Sequence, residues 1–215
     1  MPSLVGSEMC IRDRGKTMDR EAFLQILTPL DVHDTYRELY FRNPAAFAVP
    51  VRSWEEFCGR YNELEGEGKT KLPPVPPTPI APVFSEEEYF PQEDWGEVSV
   101  IVNARYCPAF LHELEFIKII YVFRGSCFFY IDGRWISMTE GNACIVAPGV
   151  EQTVFSCADE DIVLNLLIRR STFAESFWEL LESNDGGVIA DFFWKMLYHK
   201  PVGSVLLFNS RPYML

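Results

Sequence analysis

Few residues in this 215-residue chain have the types and spacing to do chemistry. The three histidines, His33, His112 and His199, fall far apart in different elements. The six cysteines, Cys10, Cys58, Cys107, Cys127, Cys144 and Cys157, form no CxxC and no Cys/His ligand spacing. A divalent ion needs several N, O or S donors converging on one point, so a structural zinc site is not expected. No Ser/His/Asp grouping, Gly-rich phosphate loop or regularly spaced carboxylate pair occurs either. The reading is a protein without catalytic residues, metal or cofactor. No basic start followed by an apolar stretch marks a signal peptide, so reduced thiols in a cytoplasmic protein are the simplest reading. Cys127 and Cys144 sit in apolar strand runs, where cysteine acts as a small hydrophobe.

Charge excludes further classes. Lys and Arg total 19 against 31 Asp and Glu, a net charge of −12. Nucleic-acid binding is driven by cationic side chains neutralising phosphates, so this polypeptide does not grip DNA or RNA by itself. Attachment to an anionic membrane surface is disfavoured for the same reason. No run of about 18 apolar residues is present to span a bilayer. With 48% hydrophobic residues the chain can bury a core, as one domain with appendages.

The elements that position any site follow from periodicity. Residues 1–17 have neither helical nor strand rhythm, and residues 1–14 resemble translated sequencing-adapter read-through. Met18 is therefore the expected native start, with 1–17 an artefactual or disordered tail. From 18 to 84 the chain reads as helical segments and a Pro-rich strap. Phe23, Ile26 and Leu27, then Val32, Tyr36, Leu39 and Tyr40, recur at helical spacing until Asn43-Pro44. Ser53-Trp-Glu-Glu56 is a capping box that starts a helix through Phe57, Tyr61 and Leu64. Leu72 to Pro82 must be extended, because each proline fixes φ and removes a donor. Residues 85–170 read as β: 98–106, 116–123, 126–131, 134–138, 143–146, 153–155 and 162–168 are short, β-branched or aromatic runs. Asp132-Gly133 is a two-residue hairpin signal. Seven such strands without intervening helices predict a sandwich or small jelly roll. Residues 171–215 read as two helices, from Thr172 and from Val188, before a short strand at 204–208.

Within the β region, Gly141, five residues, Ala147-Pro148-Gly149, two residues and Gln152 resemble the second cupin motif, G-x5-P-x-G-x2-H, with Ala147 at the proline position. His112, Leu114, Lys118 and Gly125 align with the first, H-x-H-x3–4-E-x6-G. Cupin metal centres take two histidines and a glutamate from the first motif and a histidine from the second. Here Leu114, Lys118 and Gln152 stand at three of those four positions, so the resemblance implies a barrel without its metal. The whole arrangement resembles the N-terminal regulatory region of AraC-family transcription regulators, with His112 to Gly125 and Gly141 to Gln152 carrying the sharpest similarity. That resemblance implies a mainly β fold with α, a cupin barrel with N-terminal helices and two C-terminal helices that mediate dimerisation. It implies a small-molecule effector, a sugar or sugar acid, and a homodimer. It also implies a helix-turn-helix half of about 100 residues that this chain lacks before ending at Leu215. The alternative is a stand-alone cupin that binds or transforms a sugar-like molecule.

If Lys118 points inward, alternation puts Phe116, Ile120 and Val122 beside it, and Ile117, Ile119, Tyr121 and Phe123 on the opposite face against helices. An inward lysine is costly unless paired, and Glu115 or Glu113 could partner it. Two readings stay open for His112, Glu115, Lys118 and Gln152: an anchor for an anionic or polyhydroxy effector, or a structural ion pair beside a satisfied histidine. Tyr130 and Trp135, facing each other across the hairpin, could stack on a sugar ring or serve as core. Phe177, Leu181, Phe192, Phe193 and Met196 are candidate dimer contacts, with simple core packing as the other reading.

Overall fold

Alternation in the apolar strands decides the architecture, because it gives each strand one face for the interior and one for a covering layer. The computed structural model describes residues 34–65, 80–90, 98–171, 187–197 and 205–209. In chain order these form α1 (Asp34–Arg42), a 3-10 turn (Pro44–Phe47), α2 (Trp54–Glu65), β1 (Val83–Phe84), α3 (Glu86–Tyr89) and β2 (Val98–Val102). There follow β3 (Glu113–Leu114), β4 (Ile117–Arg124), β5 (Ser126–Ile131), β6 (Arg134–Thr139), β7 (Ala143–Val146), β8 (Gln152–Phe155), β9 (Ile162–Ile168), α4 (Val188–Leu197) and β10 (Val205–Phe208).

The long strands make a five-stranded sheet, β10-β7-β4-β9-β2, and a three-stranded sheet, β6-β5-β8, while β1 and β3 pair in parallel. Every pairing within the two larger sheets is antiparallel. Their inner faces meet in one apolar cluster of Ile120, Val122, Cys127, Phe129, Ile131, Met138, Cys144, Val146, Val154 and Val163. This is a small jelly roll of the cupin type, as its motif glycines and turns led one to expect. The β5–β6 hairpin closes on Asp132 at φ 49° and Gly133 at φ 77°, the conformation that Asp-Gly turns favour.

Covering layers use the outer faces. Ile117 and Ile119 of β4, with Ile145 and Ala147, pack against Phe192, Phe193 and Met196 of α4. The outward Phe155 of β8 joins Tyr36, Leu39, Phe47, Phe57 and Tyr61 of the N-terminal helical segment. Ser53 caps α2 by accepting from Glu56 N at 3.1 Å. The return bond from Glu56 Oε2 is taken by the N–H of Arg52 rather than of Ser53, one residue earlier than the standard box.

Two expectations change. The strand expected over 98–106 ends at Val102, because the N–H of Asn103 makes the last bond to Val163 and the chain then turns, with Tyr106 at φ 59°. Phe192, Phe193 and Met196, also candidates for dimer contacts, are at most 5% exposed and lie against the chain's own sheet, the core-packing reading. They fill the groove over β4 and β7, and on that helix Trp194 is the exposed aromatic, at 37%. Phe177, Leu181 and the expected helix from Thr172 lie outside the described residues, as do residues 1–33 and most of the Pro-rich strap.

Candidate functional site

The short segment 110–114 is the seam on which the polar residues meet. On one side it pairs with Val51 and with β1; on the other, His112 bridges Gln152 at the start of β8. Reciprocal backbone bonds hold that bridge, His112 N to Gln152 O at 3.2 Å and Gln152 N to His112 O at 3.0 Å. Lys118 reaches the same place from the inner face of β4, between Phe116 and Ile120.

The side chains form a directed hydrogen-bond chain. A backbone carbonyl can only accept, so the 2.9 Å contact with Phe110 O assigns the imidazole proton to Nδ1 of His112. Nε2 then accepts from the amide of Gln152 at 2.7 Å. This turns Gln152 Oε1 toward Lys118 Nζ, which donates to it at 3.2 Å. Gln152 is fully buried and Lys118 is 5% exposed. Burial pushes the His112 pKa down to about 3, helped by the Lys118 charge and opposed by the Phe110 carbonyl. The imidazole is therefore neutral throughout the physiological range. Burial likewise pushes Lys118 down to about 8, with the Cys127 and Cys144 thiols opposing. At neutral pH Lys118 remains an ammonium, enclosed in an apolar barrel.

No ion pair among the described residues involves Lys118. The expected partner Glu115 is exposed, and its Oε2 accepts from the N–H of Glu86 at 3.2 Å. Glu113 is half-buried in β3, where its N–H is bonded to Pro82. Glu113 and Glu115 have the opposite parity to Lys118, so neither side chain shares its inward face. The ion-pair reading of Lys118 is thereby corrected: its partner is a neutral amide.

Tyr130 and Trp135 also leave the interior. They are direct partners across the hairpin with ring centroids 5.1 Å apart. On β5 the inward residues are Cys127, Phe129 and Ile131, so Tyr130 belongs to the opposite face. Trp135 lies against the N-terminal helical cluster and donates Nε1–H to Ala48 O at 3.1 Å. Trp135 is thus a packing contact between barrel and helical segment with Tyr130 beside it, on the face opposite Lys118 and Gln152. Trp135→Phe is expected to cost about 1 kcal/mol for the lost hydrogen bond. Ligand affinity in the barrel should not change in this variant; urea unfolding and calorimetric titration check the two halves of that statement.

The donor set does not fit a metal. His112 Nε2 is engaged by an amide N–H, Gln152 offers a weak oxygen donor, Leu114 none, and the Lys118 ammonium repels a cation. Among the described residues no group of three or more His, Cys, Asp or Glu could hold an ion. The thiols of Cys127 and Cys144 are pushed up to about 12 by burial, so neither is a thiolate at neutral pH. What the interior offers is a cationic donor at the end of a polarised hydrogen-bond chain.

One further polar side chain faces the interior. Asn165 lies on β9 between the inward Val163 and Leu167 and is 8% exposed. Its signal in the sequence is a lone amide inside the apolar run Ile162-Val-Leu-Asn-Leu-Leu-Ile168.

The fold is a small antiparallel jelly roll, and Leu114, Lys118 and Gln152 stand in it where the cupin motifs carry metal ligands. Residues 106–207 match the family model of the AraC-like ligand binding domain. Solved structures with local similarity include an RmlC-like cupin from Shewanella frigidimarina, at 19% identity and a TM-score of 0.29. That match covers 34% of this chain and 64% of the other, under two thirds of its length. A cupin protein from Bacteroides fragilis matches at 19% identity over 45% of this chain and 76% of its own, with a TM-score of 0.30. ToxT from Vibrio cholerae matches at 12% identity over 54% and 40%, with a TM-score of 0.38. No curated protein matches this sequence. No described helix is long and apolar enough to cross a membrane.

Proposed function

We propose that this chain is the effector-sensing, non-catalytic part of an AraC-type transcription regulator, and that its effector is an anionic small molecule held by Lys118. One observation carries the reading: a buried ammonium whose hydrogen bond goes to Gln152 and which no carboxylate among the described residues neutralises. A charge in an apolar interior is expensive unless a counter-charge accompanies it, and an anionic ligand supplies one. The neutral His112 relays its Nδ1–H toward Phe110 and fixes Gln152, which in turn orients Nζ. A sugar acid is the effector class this reading favours.

Signal transmission follows from the connections of the same strands. Lys118 is flanked on β4 by Ile117 and Ile119, which pack against α4. His112 lies in the seam that pairs with Val51 and β1 of the N-terminal segment. The barrel interior is filled by side chains, so a bound effector must repack it and thereby shift both covering layers. An effector that binds one packing better than the other moves the equilibrium between them. Dimerisation and control of a basic helix-turn-helix unit in the cytoplasm are the outputs this device serves.

The test is ligand-dependent stabilisation of the purified chain at pH 7. Gluconate and glucuronate are compared with glucose and arabinose in the wild-type protein and in Lys118→Met. A sugar acid should raise the apparent Tm of wild type, as any ligand of the native state does, and should leave Lys118→Met unmoved. Stabilisation of both proteins by a neutral sugar, without response to any carboxylate, contradicts the proposal.

A further inference from the structure

We infer that Asn165 supplies a second contact in the same barrel, which reads a hydroxyl group, so that the effector is a hydroxylated carboxylate rather than a simple one. This rests on the anion-binding reading of Lys118 and adds a separate requirement to it. Asn165 Nδ2 donates to Asn103 Oδ1 at 3.2 Å. Asn103 Nδ2 in turn donates to Ala104 O at 3.2 Å and lies 3.5 Å from Ser156 Oγ. The Ala104 carbonyl can only accept, which fixes the orientation of Asn103 and through it that of Asn165. The atom left over is Asn165 Oδ1, a buried acceptor with no hydrogen-bond partner among the described residues. Buried polar atoms without partners are rare and mark a missing donor.

Position connects this atom with Lys118. In the β4–β9 ladder Lys118 is opposite Leu167 and Ile120 is opposite Asn165. Lys118 and Asn165 are therefore diagonal neighbours on one inner face, about 7 Å apart at Cβ. In the repacked barrel that effector binding requires, one small molecule can span them. Its carboxylate meets the ammonium, and a donor a short carbon chain away meets Oδ1. A cationic donor beside Lys118 is disfavoured by like-charge repulsion, which leaves a neutral donor, and in a sugar acid that donor is a hydroxyl.

Calorimetric titration with three six-carbon probes separates the possibilities: gluconate has carboxylate and hydroxyls, hexanoate has only the carboxylate, and glucitol has only hydroxyls. Wild type should bind gluconate roughly 10-fold tighter than hexanoate, the effect of satisfying one buried acceptor, and should bind glucitol far more weakly than either. In Asn165→Leu the gluconate preference should collapse to within about 3-fold. Equal affinity of wild type for gluconate and hexanoate, both lost in Lys118→Met, overturns the hydroxyl contact and leaves the anion site standing. An unchanged preference in Asn165→Leu also overturns it, and means that Oδ1 takes only a water. Binding of glucitol alone, insensitive to Lys118→Met, overturns both readings. If Asn165→Leu fails to fold, the wild-type probe series decides by itself.

Discussion

Lys118→Met should make the protein more stable at neutral pH and remove its response to anions. Folding moves this lysine from water, where its pKa is 10.5, to an apolar interior where it is about 8. At 1.36 kcal/mol per pH unit the charged form costs the native state about 3 kcal/mol. Methionine has similar length and no charge, but leaves Gln152 Oε1 without its donor, which returns about 1 kcal/mol. The net expected gain is about 2 kcal/mol at pH 7. Its pH dependence has a definite sign. Below pH 8 both folded and unfolded states carry the proton and the penalty is complete. Between pH 8 and 10.5 the unfolded chain binds more protons than the folded one, so wild type gains stability relative to the variant as pH rises. The advantage of Lys118→Met should therefore shrink above pH 8, cross zero at about pH 10 and reverse to a deficit of about 1 kcal/mol above about 10.5, measured as the difference between urea unfolding curves. A variant several kcal/mol less stable than wild type at pH 7 means that Lys118 is a paired structural residue.

Gly125→Ala should be the more damaging of two similar substitutions. Gly125 has φ 73°, and a Cβ there meets Asp161 Oδ1 at 2.3 Å and Asp161 Cα at 3.1 Å. The carboxylate cannot withdraw freely. It is 3% exposed and accepts from the backbone N–H groups of Ser126 at 2.8 Å, Cys157 at 3.2 Å and Ala158 at 2.8 Å. These bonds tie the turn between β4 and β5 to the loop before β9. The left-handed conformation costs alanine about 1 kcal/mol, and breaking one or two bonds to a buried carboxylate adds about 3. Gly133 has φ 77°, but a Cβ there finds nothing within 4 Å, so Gly133→Ala should lose only the conformational part, about 1 kcal/mol. Equal costs at the two positions would show that the Asp161 clamp is not rigid.

The barrel was legible because its strands are short, alternating and punctuated by turn residues. The ends of β5, β7 and β9 fall where composition places them, and Asp132-Gly133 makes the expected hairpin. The motif spacing likewise brought His112, Lys118 and Gln152 to one point. What the sequence hid was the partner of Lys118. Glu113 and Glu115 are close in number but have the opposite parity to Lys118, and only the fold shows that Gln152 from another strand reaches Nζ. Tyr130 and Trp135 show a different limit: pairing across a hairpin identifies neighbours without saying which face of the sheet they occupy. Counting parity from the inward Phe129 settles that face once the interior is known. The helix at 188–197 has more aromatic surface than one face needs, and only the fold shows that Phe192 and Phe193 are core while Trp194 is exposed. Asn165 was visible as an amide in an apolar strand, but its open acceptor depends on the orientation of Asn103, which no local pattern encodes.

In the reading proposed above, the barrel holds an ammonium that no carboxylate among the described residues neutralises and that takes an anion. A 13Cε NMR titration of the lysine side chains, with the Lys118 signal assigned by its loss in Lys118→Met, tests this most directly. The expected result is a Lys118 pKa near 8 in the free protein, moving above 10 when gluconate is bound, because an adjacent anion favours the charged form. A Lys118 signal that titrates near the ordinary 10.5 without ligand and does not move with gluconate means that the barrel is not an anion site.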